Sequence, residues 1–121
     1  MATFSKQILS ASDDGKSILV AASTSPGTLI HTASTNTAVI DEVWVYATNT
    51  DASARKLTLQ WGGTTSPNDL IEVTIQPEAG LVLLIPGLIL KGNASAKTLR
   101  AFVEVGGVNL VTIHGYVNRI A

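Results

Sequence analysis

The residues best suited to chemistry in this chain are its two histidines, His31 and His114. With Asp41 or Glu42 they could offer nitrogen and oxygen ligands to a metal ion. Zinc sites usually draw paired ligands from one short stretch, and these four residues show no such spacing. A histidine on a strand among Thr and Tyr is expected instead to be a hydrogen-bonded surface or interface residue. Asp41 and Glu42 are adjacent in a stretch of strand periodicity. Their side chains therefore point to opposite faces and cannot work together as acid and base. Asp13-Asp14-Gly15 resembles the start of a calcium loop, but the alternating ligands and the distal Glu are missing, so it reads as a polar turn. No serine sits in a Gly-x-Ser-x-Gly elbow, and no glycine-rich phosphate loop is present. The chain has no cysteine, which excludes disulfides and thiolate ligands. Asn93-Ala94-Ser95 matches the glycosylation triplet, but no secretory signal is recognisable ahead of it. The sequence therefore predicts no catalytic residue, no cofactor and no metal.

The remaining polar and aromatic candidates are sparse. Arg55, Arg100 and Arg119 are too scattered for an anion site, and they are expected to pair with Glu72 or Glu104 at a rim. Trp61 continues the apolar face of Leu57 and Leu59, which points to core packing. Trp44 and Tyr46 share a face with Ile40 and could form a stacking platform for sugars, although only 5% of residues are aromatic.

Composition narrows the function class. Only 14% of the 121 residues are charged, against about 25% in an ordinary soluble domain. The mean hydropathy is +0.32. A small domain has much surface for its core and normally covers it with charge. Coverage by other protein chains is the simplest physical reading. The net charge of −1 leaves no basic stripe to neutralise nucleic-acid phosphates and little repulsion between copies. No membrane partner is expected, because the longest apolar run, Leu81 to Leu90, is about half of a membrane span and is interrupted by Pro86-Gly87.

The elements that must position these residues are strands. Leu57, Leu59 and Trp61 alternate with Lys56, Thr58 and Gln60; Ile71, Val73 and Ile75 with Glu72, Thr74 and Gln76; Val111, Ile113, Gly115 and Val117 with Thr112, His114, Tyr116 and Asn118. This period of two marks strands with one face on a core. In 39–47 one face carries Val39, Val43, Val45 and Ala47, interrupted by Asp41. Turn signals at Asp13-Asp14-Gly15, Pro26-Gly27, 49–53, 62–68, 77–80 and Gly106-Gly107 divide the chain into eight or nine strands with no helix. The fold predicted is all-β: one two-sheet β-sandwich over residues 1–121, jelly-roll-like, with a short N-terminal arm over about 1–10. Leu81 to Leu90 breaks the alternation and is apolar on both faces. A strand of this kind is covered on both faces, the outer cover being either a long loop of the same chain or a neighbouring subunit.

The closing segment Val111-Thr112-Ile113-His114-Gly115-Tyr116-Val117-Asn118-Arg119-Ile120 and the block Ala54 to Gly63 (Ala-Arg-Lys-Leu-Thr-Leu-Gln-Trp-Gly-Gly) resemble small structural proteins of tailed bacteriophages. The likeness extends to 40–46 and 70–73. It implies a capsid decoration, or cement, protein on the outer surface of the virion, made in the cytoplasm of the bacterial host. Such a protein acts as a homotrimer that clamps adjoining subunits of the major capsid protein. On that reading Leu81, Leu83, Ile85, Leu88 and Leu90 are the expected subunit interface, and Thr3, Phe4, Ser5, Lys6 and Gln7 the expected capsid contact. The competing readings are a head–tail or tail-tip module and, in a different class, a carbohydrate-binding module using Trp44 and Tyr46.

Overall fold

In a computed structural model that describes residues 2–104 and 110–121, the chain forms nine strands and, among the described residues, no helix. They are β1 (Phe4–Ile8), β2 (Ile18–Leu19), β3 (Thr28–Thr32), β4 (Ile40–Asn49), β5 (Arg55–Trp61), β6 (Leu70–Ile75), β7 (Val82–Lys91), β8 (Thr98–Val103) and β9 (Val111–Ile120). The predicted hairpin at Gly106-Gly107 lies outside the described residues. The strands form two antiparallel sheets. Sheet A runs β1-β9-β4-β7, with β2 also on β9; sheet B runs β3-β8-β5-β6. The all-β sandwich expected from the alternation is the fold observed.

The alternating residues supply the core. Val43, Val45 and Ala47 of β4, with Ile113 and Val117 of β9, face Leu57 and Leu59 of β5 and Leu99 and Ala101 of β8. Trp61 packs partly buried against the same cluster. Asn49 locks one end of the sandwich. Its buried side-chain amide donates to the carbonyls of Ser53 and Ile75, and its Oδ1 accepts from the Asp51 amide.

Strand β7 shows why its sequence loses the period of two. Its pairing with β4 shifts twice: Val45 and Tyr46 pair with Ile85 and Leu83, and Val43 and Trp44 pair with Leu88 and Pro86. Leu84 and Gly87 are thus extra residues, and each bulge inverts the facing of the residues beyond it. Gly87 has a left-handed φ of 86°, and a Cβ there would sit 3.1 Å from the Trp44 ring. The bulge and the missing side chain together let that ring lie against the strand. β7 is one edge of sheet A, with β1 at the other. Pro86 and two bulges on an edge are devices that discourage pairing with another chain's strand.

Two expectations need correction here. Ile85 and Leu90 are core residues, buried in the sandwich, so neither can belong to a subunit interface. The N-terminal segment is not a free arm. Residues 4–8 pair with 116–120 of β9, Thr3 and Ala121 exchange backbone hydrogen bonds, and Leu9 is buried in the core. Removing residues 2–9 would therefore unstitch an edge of sheet A as well as any contact made by Thr3, Phe4, Ser5, Lys6 and Gln7.

Gly115 crosses behind β4, and a Cβ there would run into the backbone carbonyl of Trp44. Backbone cannot yield as a side-chain end can. Gly115→Ala is expected to lower unfolding stability by about 2 kcal/mol, the scale of overpacking in a dense core, read as a lower urea midpoint. An unchanged midpoint would show that β4 and β9 can separate at no cost.

Candidate functional site

Two constellations stand out once the register is known. The first is buried. Asp41 and Arg119 are cross-strand partners on the inner side of β4 and β9, and His31 reaches them from β3 in the other sheet. Arg119 donates from Nε to Asp41 Oδ1 at 2.7 Å and from Nη2 to Oδ2 at 2.8 Å. His31 Nε2 lies 2.8 Å from Asp41 Oδ2. The other ring nitrogen, Nδ1, accepts from the backbone amide of Ser10 at 3.1 Å. A nitrogen that accepts carries no proton, so the imidazole is neutral with its hydrogen on Nε2, donated to Asp41.

The electrostatics agree with this assignment. Burial holds the His31 pKa below its ordinary value, outweighing the opposing pull of Asp41. Burial alone would raise the Asp41 carboxyl, but the hydrogen bonds from Arg119 and then His31 outweigh it and hold the group below the usual carboxylate range. Asp41 is 0% exposed, and it is tolerated because bonds to charged or polar donors satisfy it. His31 is 2% exposed, has both ring nitrogens engaged, and no cavity opens anywhere in the described structure. A substrate cannot reach this imidazole. Its role is to tie the two sheets together across a charge.

The four candidate metal ligands are divided between the two faces of sheet A. His31 and Asp41 lie inside with a guanidinium on the carboxylate, while Glu42 and His114 belong to the outer rows of β4 and β9. No group of three His, Asp or Glu residues able to hold a metal forms among the described residues. The arginines also pair differently from the expectation. Arg119 binds Asp41, Arg55 binds Asp51 at 2.6 Å, and Arg100 donates to the Gly27 carbonyl. Lys56 is the residue that meets Glu72 and Glu104, at 2.6 and 3.4 Å.

The second constellation is the outer face of sheet A, built from rows of cross-strand neighbours. One row is Phe4–Ile120–Ile40–Lys91, the next Lys6–Asn118–Glu42–Ile89, the next Ile8–Tyr116–Trp44–Pro86, and then His114–Tyr46–Leu83. Phe4 is 72% exposed, Ile89 53%, Ile8 48% and Leu83 46%. The charged residues in these rows are Lys6, Glu42 and Lys91. On sheet B the outward rows are mixed: Lys56–Thr74, Phe102–Thr58–Glu72 and Leu29–Arg100–Gln60–Leu70, with Thr58 and Gln60 buried. Lys56, Glu72 and Arg100 give these rows as many charges as the sheet A rows, where three charges are spread over fifteen residues. Of the remaining interface candidates, Leu83 belongs to the outer face of sheet A, whereas Leu81 and Leu88 are exposed along the β7 edge of the sandwich.

A ladder of stacked groups crosses this face. Lys6 Nζ lies 5.0 Å from the Tyr116 ring centroid. Tyr116 stacks on Trp44 with centroids 6.1 Å apart and planes 8° from parallel. The Gly87 backbone closes on the far side of Trp44. The Trp44 indole N–H donates to Glu42 Oε1 at 2.8 Å, and Asn118 Nδ2 donates to the same oxygen at 3.0 Å. These bonds hold the Glu42 carboxyl below its usual pKa. No protein-family model, curated protein or solved structure is significantly similar to this chain.

The triad makes a signed pH prediction. The unfolded chain has an ordinary histidine, near 6.5, and the folded chain a lower one. Between those values the unfolded state binds more protons, so stability is full above about pH 6.5 and falls as the pH drops toward the folded value. The depressed Asp41 adds a second loss only below its ordinary 3.8. Thermal unfolding of the native chain should therefore weaken from pH 7.5 to 5. His31→Gln keeps a donor toward Asp41, lowers stability at pH 7.5 and flattens the profile over that window. An equally steep profile in the variant would contradict the assignment. Asp41→Ala should cost about 3 kcal/mol, the low end for a broken buried pair, because Arg119 is 29% exposed and can turn to solvent.

Proposed function

We propose that this chain is a structural assembly protein of the capsid-decoration type, which self-associates through a weakly charged sheet face and binds across subunits of a bacteriophage capsid. The observation that carries this reading is the outer face of sheet A. Its rows put aliphatic and aromatic side chains side by side with three formal charges among them, and the large apolar residues Phe4, Ile8, Leu83 and Ile89 stand exposed. Contiguous apolar surface of this kind marks protein-interaction sites. The resemblance of 40–46, 54–63, 70–73 and 111–120 to small phage virion proteins supplies the kind of assembly.

The strand order supports the same reading. Counting β1 and β2 as one interrupted strand, sheet A reads 1-8-3-6 and sheet B 2-7-4-5. We read this order as the double Greek key of jelly rolls, an architecture used by viral capsid proteins and by lectins. Fold alone does not decide between those uses. The geometry of the aromatics favours assembly over sugar binding. A sugar stacks on an open ring face, whereas Trp44 is enclosed by Tyr116 and Gly87, and Tyr116 by Trp44 and Lys6.

Decoration would act by mass action: a protein that binds only the expanded lattice stabilises that state over disrupted ones. Particles of the encoding phage assembled without this protein should bind the purified chain and then withstand higher temperature before releasing DNA. Phe4→Ser with Ile8→Ser should weaken self-association at least tenfold while thermal unfolding stays within a few degrees, since both side chains are largely exposed. A chain that ignores the particles would sink the decoration reading; an isolated ring of six or twelve copies would point to a head–tail part.

A further inference from the structure

We infer that the partner of the sheet A outer face is the same face of a second copy, related by a twofold axis lying along β9. The inference rests on the proposal that this face is an assembly surface, and it departs from threefold association. β9 has β1 on one side and β4 on the other. In the central outer row Lys6 and Glu42 flank Asn118 from those two strands. A twofold rotation along β9 exchanges the positions of β1 and β4 when two faces meet. Each Lys6 then lies over the partner copy's Glu42, and each Glu42 over its Lys6.

Glu42 uses Oε1 for both Trp44 and Asn118, which leaves Oε2 free for a cation. The same rotation sets Ile8 over Trp44 and Phe4 over Ile40, so apolar meets apolar in the neighbouring rows. Lys91, on β7, falls outside the overlap and stays solvated. An axis midway between β9 and β4 would instead press Lys6 onto Ile89 and Lys91 onto Phe4, with no carboxylate for either lysine. Charge therefore selects β9. This is the self-complementarity that an isologous interface requires.

The overlap is small. The shared strands are β4 and β9, ten residues each, and β1, five, so the overlap is at most roughly 14 by 30 Å on each copy and narrows beyond β1, a small interface for a specific complex. An overlap of this size predicts a weak dimer, so the native mass should pass from dimer to monomer on dilution.

The deciding experiment mixes two variants. Lys6→Glu and Glu42→Lys each place like charges opposite one another and should weaken the dimer at least tenfold. Mixed in equal amounts they should form heterodimers with near-native affinity, because every Glu then faces a Lys. Rescue on mixing cannot arise from changes within one copy. A second readout uses the native chain: a zero-length carbodiimide should join Lys6 of one copy to Glu42 of the other and double the mass. Within one copy these side chains stand two strands apart, about 10 Å.

Failed rescue with no Lys6–Glu42 cross-link would overturn the twofold arrangement. A native trimer would overturn it too, while leaving the assembly reading intact. A monomer up to millimolar concentration would remove self-association itself, and the inference with it.

Discussion

Sheet A has two apolar faces and the sandwich has one core. That constraint organises the rest of the molecule. The inner face of β4 and β9 is covered by sheet B, and its residues reach near-complete burial. The outer face carries Phe4, Ile8, Trp44, Tyr116, Leu83 and Ile89 with little charge among them. Among the described residues of one chain nothing covers it. The chain manages this locally by stacking the aromatics across the sheet and by blunting β7 with Pro86 and two bulges. Those devices discourage strand-to-strand aggregation and leave a flat face for specific docking.

The same strands carry the inter-sheet lock. Asp41 occupies a core position on β4, where an unpaired carboxylate would be costly. Arg119, its neighbour on β9, and His31, from β3, supply the compensation. Because Arg119 is next to Asn118 along β9, the charged row inside the sheet backs directly onto the Lys6–Asn118–Glu42 row outside. One strand thus fixes both the packing of the two sheets and the charge pattern of the exposed face. A rigid sandwich with a patterned face is what a decoration protein needs.

Much of the fold is legible in the sequence because alternation reports burial residue by residue. β6 and β9 follow their predicted faces, and Asp41 is visible as the single interruption on an apolar face of 39–47; β5 turns Leu57 and Leu59 to the core as expected, but Thr58 and Gln60 on its other face are buried too. Its partners are not, because His31 and Arg119 are separated from it by 10 and 78 residues and the contact depends on sheet order. The apolar run 81–90 has the pattern of a strand covered on both faces. In fact two extra residues invert its phase, and no local pattern distinguishes a bulged edge strand from a doubly buried one. The N-terminal segment reads as an arm because chain termini often supply a strand to a partner. Its pairing with the last ten residues is the most non-local contact in the chain, and nothing in either segment announces the other.

The account stands or falls on whether the sheet A outer face is covered when the protein is at working concentration. Hydroxyl-radical footprinting measures this directly on the native chain, by the oxidation of Phe4, Trp44 and Tyr116 at high and at low protein concentration. The account predicts that these three are protected in the concentrated sample and regain reactivity on dilution, while exposed side chains of sheet B such as Lys56 and Glu72 react equally in both. Equal oxidation of Phe4, Trp44 and Tyr116 at every concentration would contradict it.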